Sequence, residues 1–259
     1  MSPRSSSRRH RSSGLAAGLL VATLAIGPSS AAAQTDAPIN DPLGAVEAWT
    51  DAESLRRLLP ESGSAGRENR KPPERRARAR KPTKRHLATL RFSRDPQVTE
   101  ANNQAVIDKL GPGYDPAAVV ADIERNRVLA HDAMRAFRGR WRPNDLADVA
   151  SFVLLSGYAA YHDRSTLSDE GCLAVRRAAR QGLAGNKAVR RTPKADKQTA
   201  AEMSEIRMIY AIGDLNFAVA AGDAAAISEA RQKIRGWIRD AYAFDVRSAR
   251  LTRRGFTKR

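Results

Sequence analysis

The residues best placed for chemistry are acids and histidines scattered along the second half of the chain. Asp145 and Asp148 stand three apart at the start of a strongly apolar run, where one desolvated carboxylate and one solvated one could divide acid and base roles. That makes them the candidate catalytic pair for a hydrolase, although the simpler reading of the same residues is capping. Asp145 precedes the first turn of a helix, and Asp148 sits at the positive end of its dipole.

Other constellations fall short of a known chemistry. His131 and His162 lack a second His or Cys at ligand spacing, so no metal site is expected, and both read as structural or surface residues. Glu202 and Glu205 lie one helical turn apart, without the Glu-x-x-His element of a di-iron bundle. Cys172 is the only cysteine and reads as a small core residue. There is no Gly-x-Ser-x-Gly elbow, phosphate-cradling loop or dinucleotide fingerprint, and no cofactor is expected.

The formal charge of +17 would point to a polyanion partner if it were spread over a folded surface. It is not evenly spread. Residues 61–86 hold ten Lys and Arg against three Glu, together with Pro72, Pro73 and Pro82 and no large apolar side chain. Such a stretch cannot bury enough surface to offset its ordering entropy, so it is expected to be a disordered linker. Its Arg75, Arg76, Arg78, Arg80, Lys81, Lys84 and Arg85 form a candidate patch for an anionic surface. No aromatic residue is interleaved for base stacking, which argues against nucleic acid.

The amino terminus explains part of the charge. Four arginines up to Arg11 precede an uncharged run from Leu15 to Ile26, followed by Pro28 and small residues through Ala33. That order predicts a signal peptide over residues 1–33, with ordinary secretion favoured over the twin-arginine route, and a periplasmic or secreted protein. The apolar run is shorter than the roughly 20 residues that span a bilayer, so no transmembrane segment is expected after cleavage. Residues 34–60 are acidic and carry a short amphipathic helix from Asp41-Pro42, with Leu43, Val46, Trp49, Leu55, Leu58 and Leu59 on its apolar side.

Residues 87–259 are expected to fold as one all-α domain, a helical bundle of about six or seven helices. An extended opening segment, Leu90 to Pro96, leads into a helix over 96–110 stopped by Gly111-Pro112-Gly113. Asp115-Pro116 starts a second helix with Val119 and Ile123 on one side. Ala130, Met134, Phe137 and Trp141 mark a third, ended by Pro143. The run from Asp145 to His162 is apolar or small nearly all round, which fits the central helix of a bundle. After a segment from Cys172 to Leu183 and a polar loop over 186–197, a longer helix carries two stripes. Met203, Ile206, Tyr210 and Phe217 make one, and Met208, Ile212, Leu215 and Val219 the other, so it is expected to pack on two sides. A last helix sets Ile227, Ile234 and Trp237 inward, and a basic tail over 251–259 follows. No alternating stretch long enough for a sheet is present.

In this order of elements the chain resembles a family of exported bacterial proteins grouped as a domain of unknown function. The matching marks are Leu90-Arg91-Phe92-Ser93-Arg94-Asp95-Pro96-Gln97-Val98, Asn144-Asp145-Leu146-Ala147-Asp148-Val149 and the ending Leu251-Thr252-Arg253-Arg254-Gly255-Phe256. Val149 stands where the family is expected to carry Ala. The resemblance covers roughly residues 88–257 and implies an exported helical domain, with no activity, cofactor or catalytic residue to carry over. The expected function is a non-enzymatic envelope protein with a binding or structural role, its partner an envelope protein or anionic envelope surface. The alternative is a hydrolase of envelope polymers acting through Asp145 or Asp148.

Overall fold

A computed structural model describes residues 82–258. The signal-peptide, acidic-helix and most of the linker expectations concern residues 1–81 and lie outside the described residues, as do Arg75, Arg76, Arg78, Arg80 and Lys81.

The described chain is all-α apart from one small hairpin. Its elements are α1 (Lys84–Ala88), α2 (Pro96–Leu110), α3 (Pro116–Ala136), α4 (Leu146–Tyr161), α5 (Asp169–Gly185), α6 (Lys187–Arg191), α7 (Lys194–Ala221), α8 (Ala224–Tyr242), a 3-10 turn (Val246–Ser248), β1 (Ala249–Thr252) and β2 (Gly255–Lys258). Six of the helices are long; α1 and α6 are single turns.

Aspartate caps set the helix starts. Asp95 accepts from Gln97 N and Asp115 from Ala117 N, each just ahead of a proline whose missing N–H is not needed in the first turn. Ser168 and Asp223 cap α5 and α8 in the same way. Helix α4 is central as expected: 14 of its 16 residues are buried, and it packs against α5, α7 and α8. Gly157 permits the close approach of α8, because a β-carbon there would collide with Ile238 Cδ1 and stand 3.0 Å from Met208 Cε.

Five expectations are corrected. The second and third helices are one, α3, since nothing between Ala117 and Ala136 breaks a helix; it ends at Phe137, and Gly139 with φ 98° turns the chain. Trp141 is therefore a loop residue, buried by stacking on Phe137 with ring centroids 4.5 Å apart. The polar loop over 186–197 contains α6, capped by Asn186 and anchored by the fully buried Val189, and the first turn of α7.

The basic tail is a β-hairpin. Leu251 pairs with Phe256 and Thr252 with Gly255 around a two-residue turn. Its strands are too short for alternation to reveal them, and they are held by tertiary packing: Phe256 lies against Tyr158 and Phe244, and Leu251 N donates to the Tyr158 hydroxyl at 3.3 Å.

Lys84 and Arg85 belong to α1 rather than to a disordered linker. Thr83 caps that turn by accepting from His86 N, and Leu87 with the fully buried Leu90 pins it to the core from the carboxyl side. Finally, the last turns of α7 are not packed on two sides. Phe217 is 71% exposed and Val219 53%, because α2 and α3 cover only the stripe formed by Met203, Ile206 and Tyr210. Among the described residues, no helix is long and apolar enough to cross a membrane.

Candidate functional site

Asp145 and Asp148 are brought to one place by two pieces of local structure. The opening segment pairs across the start of α4, with Phe92 N donating to Asn144 O at 3.1 Å and Leu146 N to Leu90 O at 3.0 Å. Helix α5 runs alongside and presents Arg176 and Arg180, one turn apart, to the two carboxylates.

Asp148 is fully buried, and both of its oxygens are committed. Arg176 grips it in a two-bond fork, Nε to Oδ1 at 2.6 Å and Nη2 to Oδ2 at 2.7 Å. Arg180 adds Nε to Oδ1 and Nη2 to Oδ2, both at 3.2 Å, and Arg142 N donates to Oδ2 at 2.9 Å. Arg176 is itself fixed by Gly139 O at 3.0 Å and by the face of Trp141, 5.5 Å from its ring centroid.

Asp145 is the cap. Its Oδ1 accepts from Ala147 N and Asp148 N, and its Oδ2 receives Arg180 Nη2 at 2.9 Å, with Arg91 Nε at 3.9 Å. Burial, and then the Asp148 charge, push its carboxyl above the ordinary aspartate range; Arg180 and the two backbone donors pull the other way. The pair thus joins the 139–142 loop, α4, α5 and the opening segment. A proton transfer through Asp148 would first have to displace Arg176.

A second polar cluster lies where α7 meets α2 and α3, and it centres on Glu202 and Glu205, which the sequence places one helical turn apart, together with Gln198, Asn102 and Arg127, which sequence reasoning does not single out. Glu202, buried, accepts from Arg94 Nε (3.0 Å), Thr99 Oγ1 (2.9 Å), Gln198 Nε2 (3.0 Å) and Asn102 Nδ2 (2.8 Å). Gln198 also donates to Asp95 O and accepts from Asp95 N, both at 2.8 Å, so the cap of α2 is tied to α7. One turn on, Glu205 Oε2 meets His131 Nε2 at 3.2 Å, both residues buried. Arg127 Nη2 donates to Asn103 Oδ1 at 3.1 Å, and Nη1 to Glu124. Among the described residues Glu205 Oε1 and Arg127 Nε have no hydrogen-bond partner. The available signal was Gln198, Glu202 and Glu205 recurring at helical spacing, a polar stripe made buriable by Arg94 of the opening segment, Thr99 and Asn102 of α2 and His131 of α3.

The remaining residues take quieter places. His162 Nε2 lies 2.8 Å from Val246 O, beside the turn into the hairpin. Cys172 is buried, and desolvation followed by the Asp169 charge pushes its thiol up to about 12. Among the described residues no group of three His, Cys, Asp or Glu is arranged to hold a metal ion. Lys84 and Arg85 are exposed on α1.

The model of a family of unknown function, DUF6683, matches residues 14–206. That span takes in residues 14–33 of the leader-like segment, the acidic segment and the linker, all outside the resemblance drawn from the motifs, and it stops within α7. No curated protein and no solved structure matches the chain.

Proposed function

The chain belongs to the DUF6683 family of unknown function, which hands it no activity, and from that premise we propose that it is a non-enzymatic exported envelope protein with a binding or structural role. In this reading the helical bundle is the working body. The basic stretch that includes Arg75, Arg76, Arg78, Arg80 and Lys81 holds it near an anionic envelope surface.

The observation that carries the non-enzymatic part is the state of Asp148. Its carboxylate is fully buried and engaged by Arg176, Arg180 and Arg142 N, the arrangement of a fastening between elements rather than of a group that meets a substrate. Hydrolysis through Asp145 or Asp148 has less support for the same reason. Nucleic acid is a weaker partner still, since the linker interleaves no aromatic residue with its charge.

The test is deletion of residues 64–81, which spares α1. The melting temperature stays where it is, and retention on vesicles rich in anionic phospholipid falls at low salt. Equal retention of the deleted form removes the surface-holding role. Turnover of an envelope polymer that disappears in a folded Asp148→Asn variant would replace the binding reading with the hydrolase.

A further inference from the structure

The feature not absorbed by that reading is where the folded domain keeps its own charge. Helix α5 is the centre of one layer. The short helix α1 and the hairpin pack on it, and α6 is seated against its end by Arg190 Nη1, which donates to Ala184 O at 2.8 Å and Gly185 O at 2.7 Å. The hairpin comes close enough that a β-carbon on Gly171 would stand 3.0 Å from Thr252 O. This layer, with the 3-10 turn that leads into the hairpin, is residues 82–91, 169–193 and 246–258. It holds 14 Lys and Arg against two acids, Asp169 and Glu170. The rest of the described chain holds 16 against 18, so the whole positive excess of the domain lies on this layer.

Little of that charge is balanced within the fold. Arg176 and Arg180 are paired with Asp148 and Asp145 of α4, and Arg91 lies 3.9 Å from Asp145. The other eleven have no ion pair among the described residues, and Lys84, Arg85, Arg177, Lys187, Arg253 and Arg254 are exposed. Like charges gathered in this way repel one another, a cost that an anionic partner removes. Among the described residues the exposed large apolar side chains are Val128, Phe217 and Val219, all outside the layer.

We infer that this α5-centred layer is the side of the domain that lies on an anionic phospholipid bilayer, with its Lys and Arg side chains among the head-group phosphates. The basic linker joins the domain through α1, a member of the same layer, so both sources of positive charge reach one surface. A specific protein interface is built on buried aromatic and apolar anchors, and a single-stranded nucleic acid site on stacking aromatics; the layer exposes neither. Fluid head groups need no such anchor. They gather under dispersed cations, and each Lys or Arg held near the surface adds to the binding. The inference rests on the surface-holding role proposed above and names the face of the folded domain that shares in it.

The two are separable by one set of measurements. In the full chain, Arg177→Gln, Lys187→Gln and Arg254→Gln together remove three exposed charges from the layer. A matched variant, Arg125→Gln, Arg135→Gln and Arg239→Gln, removes three exposed charges from α3 and α8. Binding to vesicles of equal phosphatidylglycerol and phosphatidylcholine is measured by cosedimentation over a range of salt, and thermal melting checks that both variants fold. The layer variant is expected to bind at least about tenfold more weakly at low salt and with a shallower salt dependence, while the matched variant stays within about twofold of the unaltered chain. Equal losses in the two variants would make the effect one of net charge alone and overturn the layer. Full binding by both, lost only on deletion of residues 64–81, overturns the layer and leaves the surface-holding role standing. No vesicle binding by the unaltered chain overturns both. Tighter binding to duplex DNA than to the vesicles, lost in the layer variant, makes the partner a nucleic acid and overturns the bilayer.

Discussion

Asp148 and Arg176 form a two-bond fork between α4 and α5, with N to O distances of 2.6 and 2.7 Å, and the carboxylate is wholly out of solvent. The geometry is worth stability only while both partners are present, because the cost of desolvating the carboxylate is met by its arginines. Asp148→Ala leaves Arg176 without its anion and Arg180 with Asp145 alone, and it also removes the acceptor for Arg142 N. A loss of about 3–5 kcal/mol is expected by urea denaturation. Arg176→Met is expected to cost less, since Arg180 remains to hold Asp148. A loss below about 1 kcal/mol for Asp148→Ala would show that the fork does not fasten the helices.

The pairing of His131 with Glu205 ties α3 to α7 in the same way but is less complete, since Glu205 Oε1 has no partner among the described residues. Removing one member leaves the other buried alone. His131→Leu and Glu205→Leu should therefore each destabilise by about 3 kcal/mol or more, and the double variant should lie closer to the unaltered protein than either single one. A double-mutant cycle measures this directly. Simple additivity of the two losses would mean that the residues do not act as a pair.

These two clusters mark where reading the sequence succeeds and where it stops. The centrality of α4 was legible because apolar and small residues run round every side of it, and the bounds of α2 were legible because Asp95-Pro96 and Gly111 punctuate both ends. Asp145 was legible as a cap for a similar local reason. Its arginine partners were not, since Arg176 and Arg180 lie 28 to 35 residues further on and look like any solvated pair on an amphipathic helix. The spacing of Glu202 and Glu205 was legible but their burial was not, and Gln198 was missed outright, as polar residues are assigned outward unless a distant partner is known. The hairpin escaped because four-residue strands carry too little alternation, and what stabilises them is contact with Tyr158 and Phe244. The exposed Phe217 is the converse: its spacing continues the buried stripe, but α2 and α3 end before they reach it.

Gly157 tests the packing of the central helix. A β-carbon at this position would drive into Ile238 and crowd Met208, and both residues are themselves buried. Gly157→Ala should raise local helix propensity yet lower the stability of the fold by about 1–3 kcal/mol, because overpacking outweighs the propensity gain of about 1 kcal/mol. Shortening the obstructing side chain with Ile238→Val should recover part of the loss. A Gly157→Ala protein as stable as the unaltered one would show that α4 and α8 have room to separate.

Asp245 links pH to the stability of the carboxyl-terminal end. It caps the 3-10 turn by accepting from Arg247 N at 3.0 Å, and Arg235 of α8 grips it through Nε at 2.8 Å and Nη2 at 3.0 Å. The Arg235 hydrogen bonds, helped by Arg247 N and opposed by partial burial, hold the Asp245 carboxyl below its ordinary value of 3.8. A group whose folded value is depressed binds protons less readily in the folded state, so its contribution is complete above the ordinary value and is lost as pH falls through the folded one. The stability advantage of the unaltered protein over Asp245→Asn should therefore be constant from pH 7 down to about 5, shrink below about 4, and be gone once Asp245 is protonated in the folded state. Urea midpoints of the two proteins between pH 2 and 7 measure that difference. Curves that stay parallel through the acid range would show that the Arg235 contact does not stabilise the charged form.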